Sequence, residues 1–138
     1  MTADELAEAL GMQVHPEGGR YVETWRGPDV GGRATATAIY FLLVAGERSH
    51  WHRVDADEIW LFHAGDPLAI EVAAGGGASV DRRVLGGSVA QGERPQVVVP
   101  AGAWQSATPL GAWTLVSCVV TPGFVFEGFE LAPDGWTP

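Results

Sequence analysis

Nineteen glycines and nine prolines, scattered without a period, cut this 138-residue chain into short runs. They mark many tight corners and rule out a repeat array, whose corners would recur at fixed spacing. Between them the runs are β-rich. Arg20 to Arg26 alternates, with Tyr21, Glu23 and Trp25 on one face, and Gly27-Pro28-Asp29 closes it. Ala34 to Val44 is a long run whose second half is apolar at every position, the mark of a strand buried on both faces. Glu58 to His63 is stopped by Gly65-Asp66-Pro67. Leu68 to Ala73 and Ser79 to Leu85 form a hairpin through Gly75-Gly76-Gly77. Gln96 to Val99 leads into Pro100-Ala101-Gly102, and Trp113 to Thr121 ends at Pro122-Gly123. Only the start reads as helix: Thr2 and Glu5 make a capping box, and Gly11 sits where a helix ends. So many short strands leave edges that must be closed or covered. The expected class is therefore all-β: a closed or double-sheet barrel with a short N-terminal helix, one domain spanning 1–138.

Charge narrows the partners. Eight basic residues against 17 acidic ones give a net charge of −9, and the basic residues are scattered. A nucleic-acid partner needs clustered Lys and Arg, and an anionic membrane surface needs the same. Neither is expected. No apolar run approaches the ~20 residues of a membrane helix, and the acidic start MTADELAEAL lacks a basic leader region. A soluble cytoplasmic protein is the expectation. Cys118 is alone, inside an apolar run, and reads as a buried inert thiol.

Chemistry concentrates at His50-Trp51-His52 with Glu58 downstream. Two His at i and i+2 on one strand point the same way, and Glu58 opens the strand that returns beside them. Three readings stay open. His50, His52 and Glu58 could hold a divalent ion, with Fe, Mn, Ni or Zn suited to imidazole and carboxylate. Without metal, His52 would be a base oriented by Glu58, with Tyr40 as a candidate acid. Or the pair is structural, with His52 bonded to Glu58. Around them, Trp60 and Phe124 are candidate aromatic walls, and Glu17 a candidate at the pocket mouth. The glycines of His15-Pro16-Glu17-Gly18-Gly19 permit close backbone approach. His63 and Asp57 read as surface or turn residues. The pocket serves an enzyme acting on a small carbonyl- or sugar-like molecule, by isomerisation or epimerisation. The alternative is a non-catalytic module that binds a small ligand in the same pocket.

Many separated stretches resemble the cupin superfamily, and within it the family known as DUF985 or Cupin_5. They include His15-Pro16-Glu17-Gly18-Gly19, Thr37 to Leu43, His52-Arg53, and Asp57-Glu58-Ile59-Trp60. Gly65-Asp66-Pro67-Leu68, Pro100-Ala101-Gly102, Trp104-Gln105 and Pro122-Gly123-Phe124 continue the match in order. The resemblance implies a double-stranded β-helix, or jelly roll, with an internal pocket. It implies a homodimer, and it invites comparison with sugar-nucleotide epimerases of the dTDP-4-dehydrorhamnose type. Where the general cupin pattern carries a third His, this chain has Gln105. As a ligand its amide oxygen would be a weaker donor than imidazole; as a binding residue it would face the substrate. The expected convergence is His50, His52, Glu58 and Gln105 in one pocket.

Overall fold

In a computed structural model, residues 1–75, 77 and 79–138 are described. Helix α1 (Ala3–Leu10) is followed by strands β1 (Gln13–Val14), β2 (Arg20–Arg26), β3 (Asp29–Val30), β4 (Arg33–Ala34) and β5 (Thr37–Val44). Then come β6 (Ser49–Val54), β7 (Asp57–Gly65), β8 (Leu68–Ala73), β9 (Asp81–Leu85) and β10 (Gln96–Val99). The last are β11 (Trp104–Pro109), β12 (Trp113–Thr121) and β13 (Phe129–Leu131).

The helix forms as its ends dictate. Thr2 accepts the Glu5 amide and Glu5 returns the bond to Thr2, while Gly11 takes the left-handed C-terminal position. Its eight residues cannot span a bilayer, and no helix among the described residues is long and apolar enough to cross a membrane.

Two sheets face each other as a jelly roll. One runs β1-β2-β5-β12-β7-β10 and the other β13-β6-β11-β8-β9, with every pair within them antiparallel. The hairpin β8–β9 forms as the sequence suggests, although Gly76 of its turn lies outside the described residues. Alternation sends Val116, Cys118 and Val120 of β12 inward and leaves Leu115, Ser117 and Val119 outside. Phe41, Leu43, Trp60, Ile70, Leu85 and Val99 fill one end of the space between the sheets. Each such side chain contributes ~1.5–3 kcal/mol by leaving water. That packed end is the floor on which the other end stays open.

Ala34 does not open the long central strand. It pairs with Asp29 in the small β3–β4 hairpin, and the central strand starts at Thr37.

Candidate functional site

The open end of the barrel encloses a cavity of about 130 Å³. Its polar floor is made by His15, Glu17, His52 and Glu58, with the Cys118 thiol beside them. Phe124, Ile39, Val54 and Val120 form apolar walls, and Glu23, Arg26 and the exposed Phe126 stand at the mouth.

Glu17 reaches the floor because its loop folds flat onto the barrel. Gly18 and Gly19 have φ of +109° and +79°. A side chain on Gly18 would strike the Arg48 carbonyl, and one on Gly19 would strike Leu43 and Phe41. The loop is pinned where the His50 amide donates to the Glu17 carbonyl at 2.8 Å. The Glu17 carboxyl is then buried against Ser49, whose hydroxyl donates to it.

His52 and His50 part company. Gln105 of β11 pairs with His52, but Ala107 pairs with Ser49, so His50 and Trp51 together oppose Ser106. This β-bulge breaks the two-residue alternation. Ser49 and His52 both face inward, while His50 turns out and its Nε2 donates to the Pro133 carbonyl at 3.0 Å. The expectation that both imidazoles share a pocket is corrected: His52 lines the cavity and His50 does not. His50 instead helps hold the C-terminal tail. Trp136 of that tail packs on Trp104 at 4.5 Å and on Trp51 at 6.3 Å between ring centres.

The His52 ring is oriented by its own strand. Nδ1 meets the His50 carbonyl at 2.8 Å. A carbonyl only accepts, so Nδ1 carries the proton and Nε2 keeps the lone pair. Burial pushes the His52 pKa down, against the opposing pull of Glu58 and the His50 carbonyl. Burial also pushes His15 down to about 4, with help from His52. His15 Nδ1 lies 3.3 Å from Glu17 Oε1, yet this is no ion pair. That nitrogen accepts the Glu17 backbone N–H at 3.1 Å and so carries no proton.

The two carboxyls move the opposite way. Burial raises Glu17 to about 8, against the Ser49 hydrogen bond. Burial raises Glu58 to about 7, helped by Glu17 and opposed by His52, Gln105 and the Cys118 thiol. Near neutral pH the floor is therefore two neutral imidazoles and a carboxyl pair that still holds a proton. Burial likewise raises the Cys118 thiol well above its ordinary range, so it stays protonated and inert.

Gln105 is held at both ends of its amide. Trp60 Nε1 donates to its oxygen at 2.8 Å, and its nitrogen donates to Glu58 Oε1 at 2.8 Å. Trp60 thus stands behind the floor as a support and not as a cavity wall. Tyr40 is also corrected. Thr37 and Ile39 of β5 line the cavity, so Tyr40 faces the outer side, edge-on to His63 at 6.0 Å. His63 Nε2 there bonds Ser117 at 2.6 Å.

The donor set expected for Fe, Mn, Ni or Zn does not assemble. His50 points away, the Gln105 oxygen is occupied by Trp60, and Glu58 is bonded to the Gln105 amide. Among the described residues no three His, Cys, Asp or Glu side chains form a group that could hold an ion. These residues fit proton transfer better than coordination.

The sequence reading missed His15 as a floor residue, although it quoted the motif that holds it. It also missed Tyr21, which lines the cavity beside His15 with ring centres 4.6 Å apart.

Comparison with known proteins bears on this architecture. A family model described as "Cupin superfamily (DUF985)" matches residues 4–132. A structure from Shewanella oneidensis is 39% identical, with a TM-score of 0.90 over 96% of this chain and 85% of that one. A hypothetical protein from Leishmania major is 34% identical, with a TM-score of 0.87 over 96% and 88%. Oxalate decarboxylase from Bacillus subtilis shares 13% identity at a TM-score of 0.65, over 86% of this chain and 29% of that one, a likeness of fold alone. A search of curated proteins finds no match.

Proposed function

The chain belongs to the Cupin_5 family (DUF985) of the cupin superfamily, and on that premise we propose that its barrel cavity is an acid–base site for proton transfer next to a carbonyl. The substrate is a small carbonyl- or sugar-like molecule, and the outcome is isomerisation or epimerisation. One observation carries the reading. A neutral, backbone-tethered His52 and a proton-bearing buried carboxyl, Glu17, share one cavity. A base and an acid with separated proton affinities are what such chemistry needs.

In this reading His52 Nε2 takes the carbon-bound proton, and the Glu17 carboxyl gives a proton to the developing oxyanion. Gln105 holds Glu58 in place and Trp60 holds Gln105. The aromatic wall at Phe124 keeps water from the reacting carbon. No step runs through a metal ion.

Deuterium uptake tests this. In D2O the protein is incubated with a panel of C3 to C6 hydroxy aldehydes and ketones, and carbon-bound deuterium is followed by NMR. Protein-dependent uptake by at least one member is expected. No uptake across the panel, together with saturable binding of one of its members, would favour the ligand-binding module instead.

The same reading includes a homodimer. Val119 pairs with Ile59, and Ile59 with Val98, so their side chains share the outer face of the six-stranded sheet with Leu61 and Leu115. These are half-buried or exposed in the isolated chain. A second copy laid on this apolar face would cover it. Light scattering at micromolar concentration should give twice the 14.6 kDa chain mass; monomer alone would end the proposal.

A further inference from the structure

Two carboxyls, not one, line the cavity together with the His52 imidazole. Glu17 Oε2 stands 3.5 Å from His52 Nδ1. Glu58 accepts from Gln105, the register partner of His52 on the neighbouring strand. The two side chains come from different parts of the chain, the loop before β2 and the start of β7. Both line the cavity, and both are more than nine-tenths buried. The basic side chain on the wall, Arg26, is engaged by Glu23 at 2.9 Å near the mouth. With no free cation among the described residues that line the cavity to offset two buried negative charges, the carboxyls hold one proton between them. A single acid suffices to protonate and deprotonate one oxygen. A pair, one member protonated and one ionised, suits a substrate that loses a proton at one oxygen and gains one at another.

We infer that Glu17 and Glu58 act together on two neighbouring oxygens, so that the substrate is an α-hydroxycarbonyl compound and the reaction shifts its carbonyl to the adjacent carbon. This rests on the acid–base reading above and narrows it. His52 Nε2 removes the proton from the carbon that bears the hydroxyl. That C–H pair becomes the double bond of an enediol, and the carbonyl π pair goes to its oxygen, which takes the proton of the protonated carboxyl. The neighbouring hydroxyl then gives its proton to the ionised carboxyl, and its O–H pair forms the new carbonyl. The proton on His52 exchanges with solvent, and the enediol pair then takes a proton from His52 at the former carbonyl carbon. One proton has passed from one glutamate to the other, and exchange with water at the mouth resets the pair. No oxidant or reductant is needed.

The test uses the wild-type protein in D2O with C3 to C6 α-hydroxy aldehydes and their 2-O-methyl ethers, each followed by NMR. A free hydroxyl should give the deuterated, carbonyl-shifted isomer. The ethers should exchange the C2 proton and give no isomer. Glu58→Gln should lower isomer formation at least about tenfold more than it lowers C2 exchange. Exchange without isomer from every free-hydroxyl compound would overturn this inference and leave the acid–base reading standing. No exchange with any compound would overturn both. Equal loss of exchange and isomer in a folded Glu58→Gln would also contradict the division of roles.

Discussion

His52→Asn should abolish most of the activity while leaving the barrel folded. The imidazole does two things in this site. Its Nδ1–H ties the side chain to the His50 carbonyl, and its Nε2 offers the lone pair. An asparagine amide can replace the first and not the second, because its nitrogen is no base. Deuterium uptake should fall by about 10²- to 10⁴-fold, the usual contribution of a positioned general base. That is about 3–5 kcal/mol of transition-state stabilisation. The floor around it stays in place: Glu17 is held by Ser49, and Glu58 by Gln105 and Trp60. Thermal unfolding of the variant separates lost chemistry from lost structure. A folded variant that keeps more than a tenth of wild-type uptake would mean that His52 is not the base.

Raising the pH from 6.5 to 8 should destabilise the protein, which is unusual for an acidic chain. The sign follows from the buried floor. Glu17 and Glu58 have folded pKa values of about 8 and about 7 against an ordinary 4.5. Above 4.5 the unfolded chain has released these protons and the folded chain keeps them. Stability therefore falls with rising pH until each folded pKa is passed. His15, pushed down to about 4, and His52 act in the opposite sense, but only below their ordinary 6.5. Between 4.5 and 6.5 the histidines work against the carboxyls. Above 6.5 the carboxyls dominate, at roughly 1.4 kcal/mol per pH unit for each group still titrating. The net loss by pH 8 is roughly 2 kcal/mol. Urea unfolding at pH 6.5, 7.2 and 8 measures it. Glu17→Gln should remove most of the slope above pH 7. Wild-type stability that is flat or rising over this interval would show that the carboxyls are ionised in the folded chain.

Much of the fold was legible because its punctuation is local. Strands β2, β8, β10 and β12 begin and end where expected, each bounded by glycine, proline or acidic turn residues. Of the four residues expected to converge, His52 and Glu58 line the cavity and Gln105 stands behind Glu58, while Glu17, expected at the mouth, lies on the floor. What the sequence hid was parity. In β2, Glu23 pairs with Ile39 but Trp25 pairs with Ala38, so one extra residue intervenes. Arg26 then lines the cavity, and Trp25, expected on the face of Tyr21 and Glu23, is 53% exposed. The bulge in β6 did the same to His50. A bulge is set by how two distant strands meet, and nothing in His50-Trp51-His52 itself announces one. Tyr40 was a candidate for a related reason: an all-apolar run does not say which face is the lumen.

The protonation state of His52 is the centre of this account, and long-range proton–nitrogen NMR of the histidine rings reads it directly. At pH 7 the His52 ring should show one protonated nitrogen, Nδ1, and one lone-pair nitrogen, Nε2. That pattern should persist on acidification to below pH 6.5, with His52→Asn assigning the signals. An imidazolium at pH 7, or a proton on Nε2 in place of Nδ1, would contradict the proposed base.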